Sequence, residues 1–343
     1  MKLLILGDTH FGCRNDNEVF YYHFEKFYNM MFQYCIDNKI DTIFQLGDLF
    51  DKRKQINFKT LEYSKRAFFN RFEENNIQLY AITGNHDIFY RESTKLNSSI
   101  LINSDFVKVF NEPYTVYIDN TSIDMIPWIC KDNQEDIKKF ISESKSDLCF
   151  GHLELNGFPM YKGVVAETGK SDGNIFSKYE LVCTGHYHTK SCNGNITYVG
   201  TPYEMTWMDY NDPKGFHIFD TITRELSFIP NPHTAFQVIE YDDTKENITP
   251  YDVVNKFIKI IVKNKNDAYT FDRFLDGLTK NGVYDIKVLE GDIISIIESE
   301  ETETPPSTLE IINRYVDNSN ITEKDDVKDF LKSLYIETLN GVE

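Results

Sequence analysis

The sequence predicts an α/β fold: two packed mixed β-sheets flanked by helices, then a small α/β domain and a C-terminal helical tail. Three observations predict it. The chain opens strand–helix–strand–helix–strand, the order of a layered core with crossover helices. Beyond Asn103 the pattern shortens into many brief strands with one further helix, which favours two packed sheets over one simple dinucleotide-type sheet. Finally, several apolar strands end in a glycine followed by an acid, an amide or a histidine, as strands converging on one ligand crevice do.

Taken in order, Lys2–Leu6 reads as a short buried strand that turns at Gly7–Asp8. The aromatic-rich stretch from Asn17 to Asn38 lacks Pro and Gly and has helical spacing. DTIFQLGD is a second strand, Asn57–Asn75 a second helix and IQLYAITGNHD a third strand. VKVF, YTVYID and TSIDMIPW follow as strands, a helix runs from about Gln134 to Ser144, and SDLCFGH, YELVCTGH, ITYVG, KGFHIFD and RELSFIP are later strands. Pro230 and Pro232 mark the edge of this core, so its expected span is 1–234. A small α/β domain is expected over 235–300, with FIKIIVKN a strand, TFDRFLDGLTKN a helix, and VYDIKVLE and DIISIIES further strands. The polar, proline-bearing ETETPPST reads as a linker, placed at 301–306. Two helices are expected over 307–343, started by Ser307 with Glu310 and by Thr322 with Asp325. The last would align Val327, Phe330, Leu331, Leu334 and Tyr335 on one face.

The 343 residues are 41% hydrophobic, enough for a substantial core, and much of that is aromatic: 26 Phe and 21 Tyr. Formal net charge is −18, which disfavours non-specific attraction to nucleic acid or anionic lipid unless a local basic strip or bound cations reverse the field. The six cysteines form no CxxC pair, so neither a disulfide framework nor a zinc knuckle is indicated, and reduced thiols in a cytosolic protein are expected. The apolar run of MKLLILGD is broken too early by Asp8 for a signal peptide or a membrane span, so no membrane partner is expected.

The chemistry lies at the strand ends. LILGDTH supplies Asp8 and His10, FQLGDLFD Asp48, AITGNHD Asn85 and His86, CFGHLE His152, and LVCTGHYH His186 and His188. Any one of these is ordinarily a turn or a satisfied polar residue; their repetition points to one metal centre. Oxygen and imidazole donors without thiolate suit Mn2+, Fe2+ or Zn2+, whereas a purely magnesium site would want mainly oxygen. The donors outnumber the needs of one tetrahedral ion. Two ions about 3.5–4 Å apart, sharing a carboxylate, would use them and would serve phosphoester hydrolysis.

GDTH, GDLFD, GNHD, FGHLE and GHYH, in that order, resemble the motif series of the calcineurin-like metallophosphoesterases. The likeness narrows to the nuclease subunit of SbcCD-type double-strand-break repair complexes, as encoded by large tailed phages. GHLELNGFPMYKG and YVGTPYEMTWMDYNDPKGFHIFD carry that part of it. The resemblance implies the calcineurin-like metallophosphoesterase fold, with Asp8, His10 and His188 holding one Mn2+. Asn85, His152 and His186 would hold the other, Asp48 would bridge them, and Mg2+ would be a substitute metal. One imidazole of the HxH pair would thus serve each ion. It makes His86 a proton donor to the departing 3′ oxygen, with Asp87 orienting it or stabilising its loop. Some members have histidine where this chain has Asp51, so that position is left without a carried-over role.

By the same resemblance the chain would be a 3′–5′ exonuclease on duplex DNA and an endonuclease on single strands or hairpins. It would act in the cytoplasm as a homodimer on an SbcC-type coiled-coil ATPase. The small domain would help seat DNA, and the terminal helices would bind the ATPase. Lys52, Arg53 and Lys54, with Lys162 and Lys190, are candidate DNA contacts. Two rival readings use the same residues: a phosphatase or phosphodiesterase on nucleotides or phosphoproteins, and a non-catalytic scaffold of a repair complex.

Overall fold

The computed structural model describes residues 1–161, 164–166, 173–245 and 252–290, together with 316, 324, 327 and 328. Met1–Gly291 forms one compact unit and Asp292–Glu343 a second. The expected strand DIISIIES, the linker and the terminal helices lie almost wholly outside the described residues.

The strands, in chain order, are β1 Lys2–Leu6, β2 Thr42–Gln45, β3 Gln78–Ile82, β4 Ile88–Tyr90, β5 Ser93–Asn97 and β6 Val107–Phe110. Then come β7 Tyr114–Ile118, β8 Thr121–Ile126, β9 Leu148–His152, β10 Pro159–Tyr161, β11 Val164–Val165 and β12 Leu181–Gly185. The remainder are β13 Ser191–Asn193, β14 Ile196–Tyr198, β15 Gly215–Asp220, β16 Leu226–Pro230, β17 Phe236–Asp242, β18 Phe257–Asn264 and β19 Asp285–Glu290. Among the described residues two six-stranded sheets form the core, ordered β16-β15-β1-β2-β3-β6 and β13-β14-β12-β9-β8-β7. Strands β1, β2, β3 and β6 run parallel, as do β8, β9, β12 and β14; antiparallel β15 and β16 close one edge of the first sheet, parallel β6 forms its other edge, and antiparallel β13 and β7 close the second.

Residue alternation along the strands explains the layering. In β1, Leu3 and Ile5 enter the core between the sheets, whereas Leu4 and Leu6 face the helices. Likewise Phe44 joins Ile123, Met125, Leu148 and Phe150 between the sheets, while its neighbour Ile43 packs outward. Helix α1, Val19–Asn38, covers the first sheet's outer face with Phe24, Phe27, Met31 and Phe32, all fully buried. The second expected helix begins as α2, Phe58–Ser64, capped by the Asn57 side chain on the Lys59 amide. It passes through a π-helical turn, Lys65–Phe69, into α3, Asn70–Glu74. The widened turn brings the adjacent Phe68 and Phe69 into the core together. Helix α4, Gln134–Glu143, covers the second sheet with Ile137 and Ile141.

Within the first unit, residues after Pro232 form a separate parallel sheet, β17-β18-β19, with α5, Ala268–Lys280, crossing between its last two strands. Its own core holds Ile239, Tyr241, Ile258, Ile260, Phe271 and Leu278. Strand β17 is an addition to the elements expected from sequence, as are β4, β5, β10, β11 and β13. All six cysteines are unpaired and only Cys192 is exposed.

Candidate metal centre

Every candidate ligand sits at the carboxyl end of a parallel strand. Asp8 and His10 follow β1, Asp48 follows β2 and Asn85 follows β3; His152 ends β9, and His186 and His188 follow β12. The first group comes from one sheet and the second from the other, so the crevice spans both. The turns that carry them are tight. A Cβ on Gly84 would overlap the Asp48 carboxylate, and one on Gly185 would overlap that of Asp8. Only glycine lets each loop approach its neighbour's carboxylate this closely. His10, Asp48 and His186 themselves take positive φ, at 42°, 53° and 89°. Such conformations are uncommon for residues with side chains and cluster at functional sites. Gln45 anchors the turns, its amide donating to the carbonyls of Gly7 (3.2 Å) and Gly47 (2.6 Å).

Among the described residues three groups offer donor atoms within 4.8 Å of one another: Asp8, His10 and His188; Asp48, His152 and His186; and His10, Asp51 and His86. The first two are made wholly of expected ligands. Asn85 belongs with the second: its Oδ1 lies 2.9 Å from His186 Nδ1 and 3.0 Å from His152 Nε2. Asp48 stands between them, its Oδ2 being 3.8 Å from His10 Nε2 and 3.4 Å from His152 Nε2. His152 Nδ1 donates to the Leu46 carbonyl at 2.7 Å, which turns Nε2 toward the centre.

The donor set fits divalent cations. His10 Nε2 and His188 Nδ1 are buried without a hydrogen-bond partner, a state that a bound cation would relieve. Charge crowding points the same way. Burial pushes the Asp8 carboxyl up to about 6. Burial draws the His10 and His152 imidazoles down, but the surrounding hydrogen bonds and carboxylates, Asp48 chief among the charges, outweigh it and lift both to about 9. Burial and the neighbouring imidazoles hold His186 and His188 near 3. Although buried, Asp48 stays well below the usual carboxylate range because His152 lies against it. Carboxylates and imidazoles so closely opposed suit a space that cation charge would fill.

Around the clusters, His86 donates its backbone N–H to Asp48 Oδ1 (2.7 Å), and its Nδ1 meets the Asp51 carbonyl (2.6 Å). The Asp51 carboxylate lies 3.5 Å from His10 Nδ1. Asp51 therefore touches both rings, by different atoms. Asp87 is buried and accepts from the amides of Leu49, Phe50 and Gly84 and from the Ser98 hydroxyl, tying the second and third loops together. Its carboxyl is raised by burial and by Asp48.

The basic residues are dispersed. Lys52 is paired with Asp16 at 2.8 Å. Arg53 and Lys54 line a groove of about 280 Å3 beside the His86 loop, and burial with nearby Arg91 lowers the Arg53 guanidinium. Lys190 sits 4.9 Å over the Phe228 ring. Lys162 lies outside the described residues.

Sequence reasoning missed three neighbours of the centre: Trp128, whose ring is 5.1 Å from His186 and 5.9 Å from His152; Tyr161, 5.6 Å from His188; and Lys214, which donates to the His188 carbonyl at 2.9 Å. None stands beside a glycine-ended strand, the one signal that located the others.

Comparison with known proteins follows the same outline. Residues 1–190 match the family described as calcineurin-like phosphoesterase. The chain is 37% identical over 305 residues, 88% of each chain, to "Exonuclease subunit 1" of Enterobacteria phage T4. It is 26% identical over 296 residues to the "DNA double-strand break repair protein Mre11" of Methanocaldococcus jannaschii, covering 80% of this chain and 76% of that one. A protein of the same description from Sulfurisphaera tokodaii is 26% identical over 196 residues, 55% of this chain and 49% of that one.

Proposed function

Because the chain belongs to the calcineurin-like phosphoesterases, we propose that it is a metal-dependent DNA nuclease of the repair and recombination type. The supporting relatives are the phage exonuclease subunit and the archaeal break-repair proteins. The observation that carries the reading is the placement of Asp48 Oδ2 between two clusters, each assembled from the strand ends of both sheets.

Asp8, His10 and His188 would hold one ion, Asn85, His152 and His186 the other, and Asp48 both. Mn2+ is the proposed metal and Mg2+ its substitute. Such a pair supplies Lewis acidity that activates the attacking water and neutralises charge on the phosphoryl oxygens. The protein's part is orientation and proton transfer. With its Nδ1–H engaged by the Asp51 carbonyl, the His86 imidazolium has Nε2–H to give to the departing 3′ oxygen. Asp87 fixes the loop that carries His86, and Asp51 steadies the His10 ring. Arg53 and Lys54, with Lys52, Lys162 and Lys190, would meet DNA phosphates.

We place cleavage at 3′ ends of duplexes and within single strands or hairpins, in the cytoplasm. The described residues include no helix long and apolar enough to cross a membrane. The proposed homodimer has a candidate surface at the rim of the groove, where Phe58 is 88% and Ile100 72% exposed. The segments 235–300 and 307–343 are assigned, from the resemblance, to seating DNA and to an SbcC-type ATPase. Purified protein should degrade blunt duplex DNA with Mn2+ and stop on chelation. Cleavage of a generic phosphatase substrate with no action on DNA would reject the reading.

A further inference from the structure

Lys214 is an unusual residue to find where it is. Its side chain is 3% exposed, and its ammonium lies 2.8 Å from Asp209 Oδ1, 2.8 Å from Asp212 Oδ2 and 2.9 Å from the carbonyl oxygen of His188. Three acceptors match the three protons of an ammonium, so the group is fully engaged. One anchor is itself immobile. Asp209 Oδ2 accepts from the amides of Met205 (3.0 Å) and Thr206 (2.9 Å) and from the Thr206 hydroxyl (3.1 Å), closing a capped turn at Trp207–Asp209.

The His188 carbonyl does not need this partner to satisfy its hydrogen bonding. It already accepts from the Thr201 amide at 3.1 Å. Burying an ammonium with two carboxylates carries a desolvation penalty, and apolar replacements of such clusters are often neutral or stabilising for a fold. A second, charged donor on a satisfied carbonyl is therefore better explained by position than by stability. It fixes the peptide of the residue whose buried Nδ1 has no hydrogen-bond partner. The brace is one-sided as well. His186 is held instead through its own amide, which donates to Asp8 at 3.1 Å.

We infer that Lys214 is a positioning residue for one ion only: its buried ammonium braces the His188 backbone and so sets the imidazole of the Asp8–His10–His188 cluster. This rests on the metal-centre reading above. The ion of the Asn85–His152–His186 cluster is independent of Lys214.

Calorimetric titration of the full-length protein with Mn2+ tests it, alongside the electron paramagnetic resonance signal of coupled Mn2+ pairs. Wild type should take up two ions per chain. Lys214→Met should keep one at wild-type affinity and weaken the other about 10- to 100-fold, the range seen when outer groups that orient ligands are removed. The coupled-pair signal should give way to that of isolated Mn2+ at limiting metal and return at excess. Because Lys214→Met strands two buried carboxylates, the triple variant Asp209→Asn, Lys214→Met, Asp212→Asn removes all three charges together and should show the same split. Two unchanged sites in either folded variant, or equal weakening of both, overturns the inference. So does failure of both variants to fold, which would make Lys214 a folding residue. A wild type that binds no pair of ions instead overturns the metal-centre reading.

Discussion

At His86 the ring nitrogen Nδ1 meets a backbone carbonyl, that of Asp51, and the residue's amide holds Asp48. A side-chain truncation therefore removes the imidazole and leaves the amide bond to Asp48 in place. His86→Ala should bind two Mn2+ as wild type does, yet lose about 10²- to 10⁴-fold in cleavage rate, the usual contribution of a positioned acid. Parallel metal titration and nuclease assays check this, and loss of bound metal would make His86 a ligand. At this scale the sequence was readable where a glycine turned a strand into a side chain. Asp8, Asp48, Asn85, His152, His186 and His188 all carry that mark, and the structure brings them together. Lys214 and Trp128 act through a carbonyl and a ring face, and neither kind of contact imposes a spacing on the sequence. Asp51 was noticed but left open, because some family members carry histidine there; in the structure its carbonyl and its carboxylate serve different rings.

Between elements, Glu204 joins the core to the small sheet, its carboxylate accepting from the amides of Ala235 (2.8 Å) and Phe236 (2.9 Å) at the head of β17. Burial pushes its carboxyl up from 4.5 to about 7. The folded state thus keeps a proton that the unfolded chain releases, and its contribution is complete below pH 4.5 and lost as pH rises to about 7. At about 1.4 kcal/mol for each pH unit between the two values, the loss is on the order of 3 kcal/mol. Glu204→Gln offers the same two amides an uncharged oxygen, so its denaturant stability should fall less than that of wild type between pH 5 and 8. Parallel curves would contradict this. The long elements were legible because β1, β2, β3, β9 and β12 are apolar runs closed by glycine or histidine, and α1 is an unbroken apolar periodicity. Strands β4, β10, β11 and β13, of two or three residues, are too short for alternation to show, and β5, the polar run STKLN, is held by its pairing with β4. The π-helical turn at Lys65–Phe69 arises from packing two adjacent phenylalanines and has no residue signature of its own.

For the whole molecule, a charge of −18 opposes a polyanionic substrate. Of the basic side chains near the centre, Lys52 is already neutralised by Asp16 and Lys190 lies over an aromatic ring. Few phosphates can then be neutralised at once, so the isolated chain should bind duplex DNA weakly and with a shallow salt dependence. Adding the proposed ATPase partner should raise the affinity at least about tenfold, a rise fluorescence anisotropy would detect and one that equal, tight binding in both cases would disprove. The exposed thiol offers a handle on such an assembly. Five cysteines are sealed in the core, and Cys192 alone is open, on the edge strand beside β14. A maleimide dye or spin label added to the unaltered protein would report from that single address, within the sheet whose β12 leads into His186 and His188.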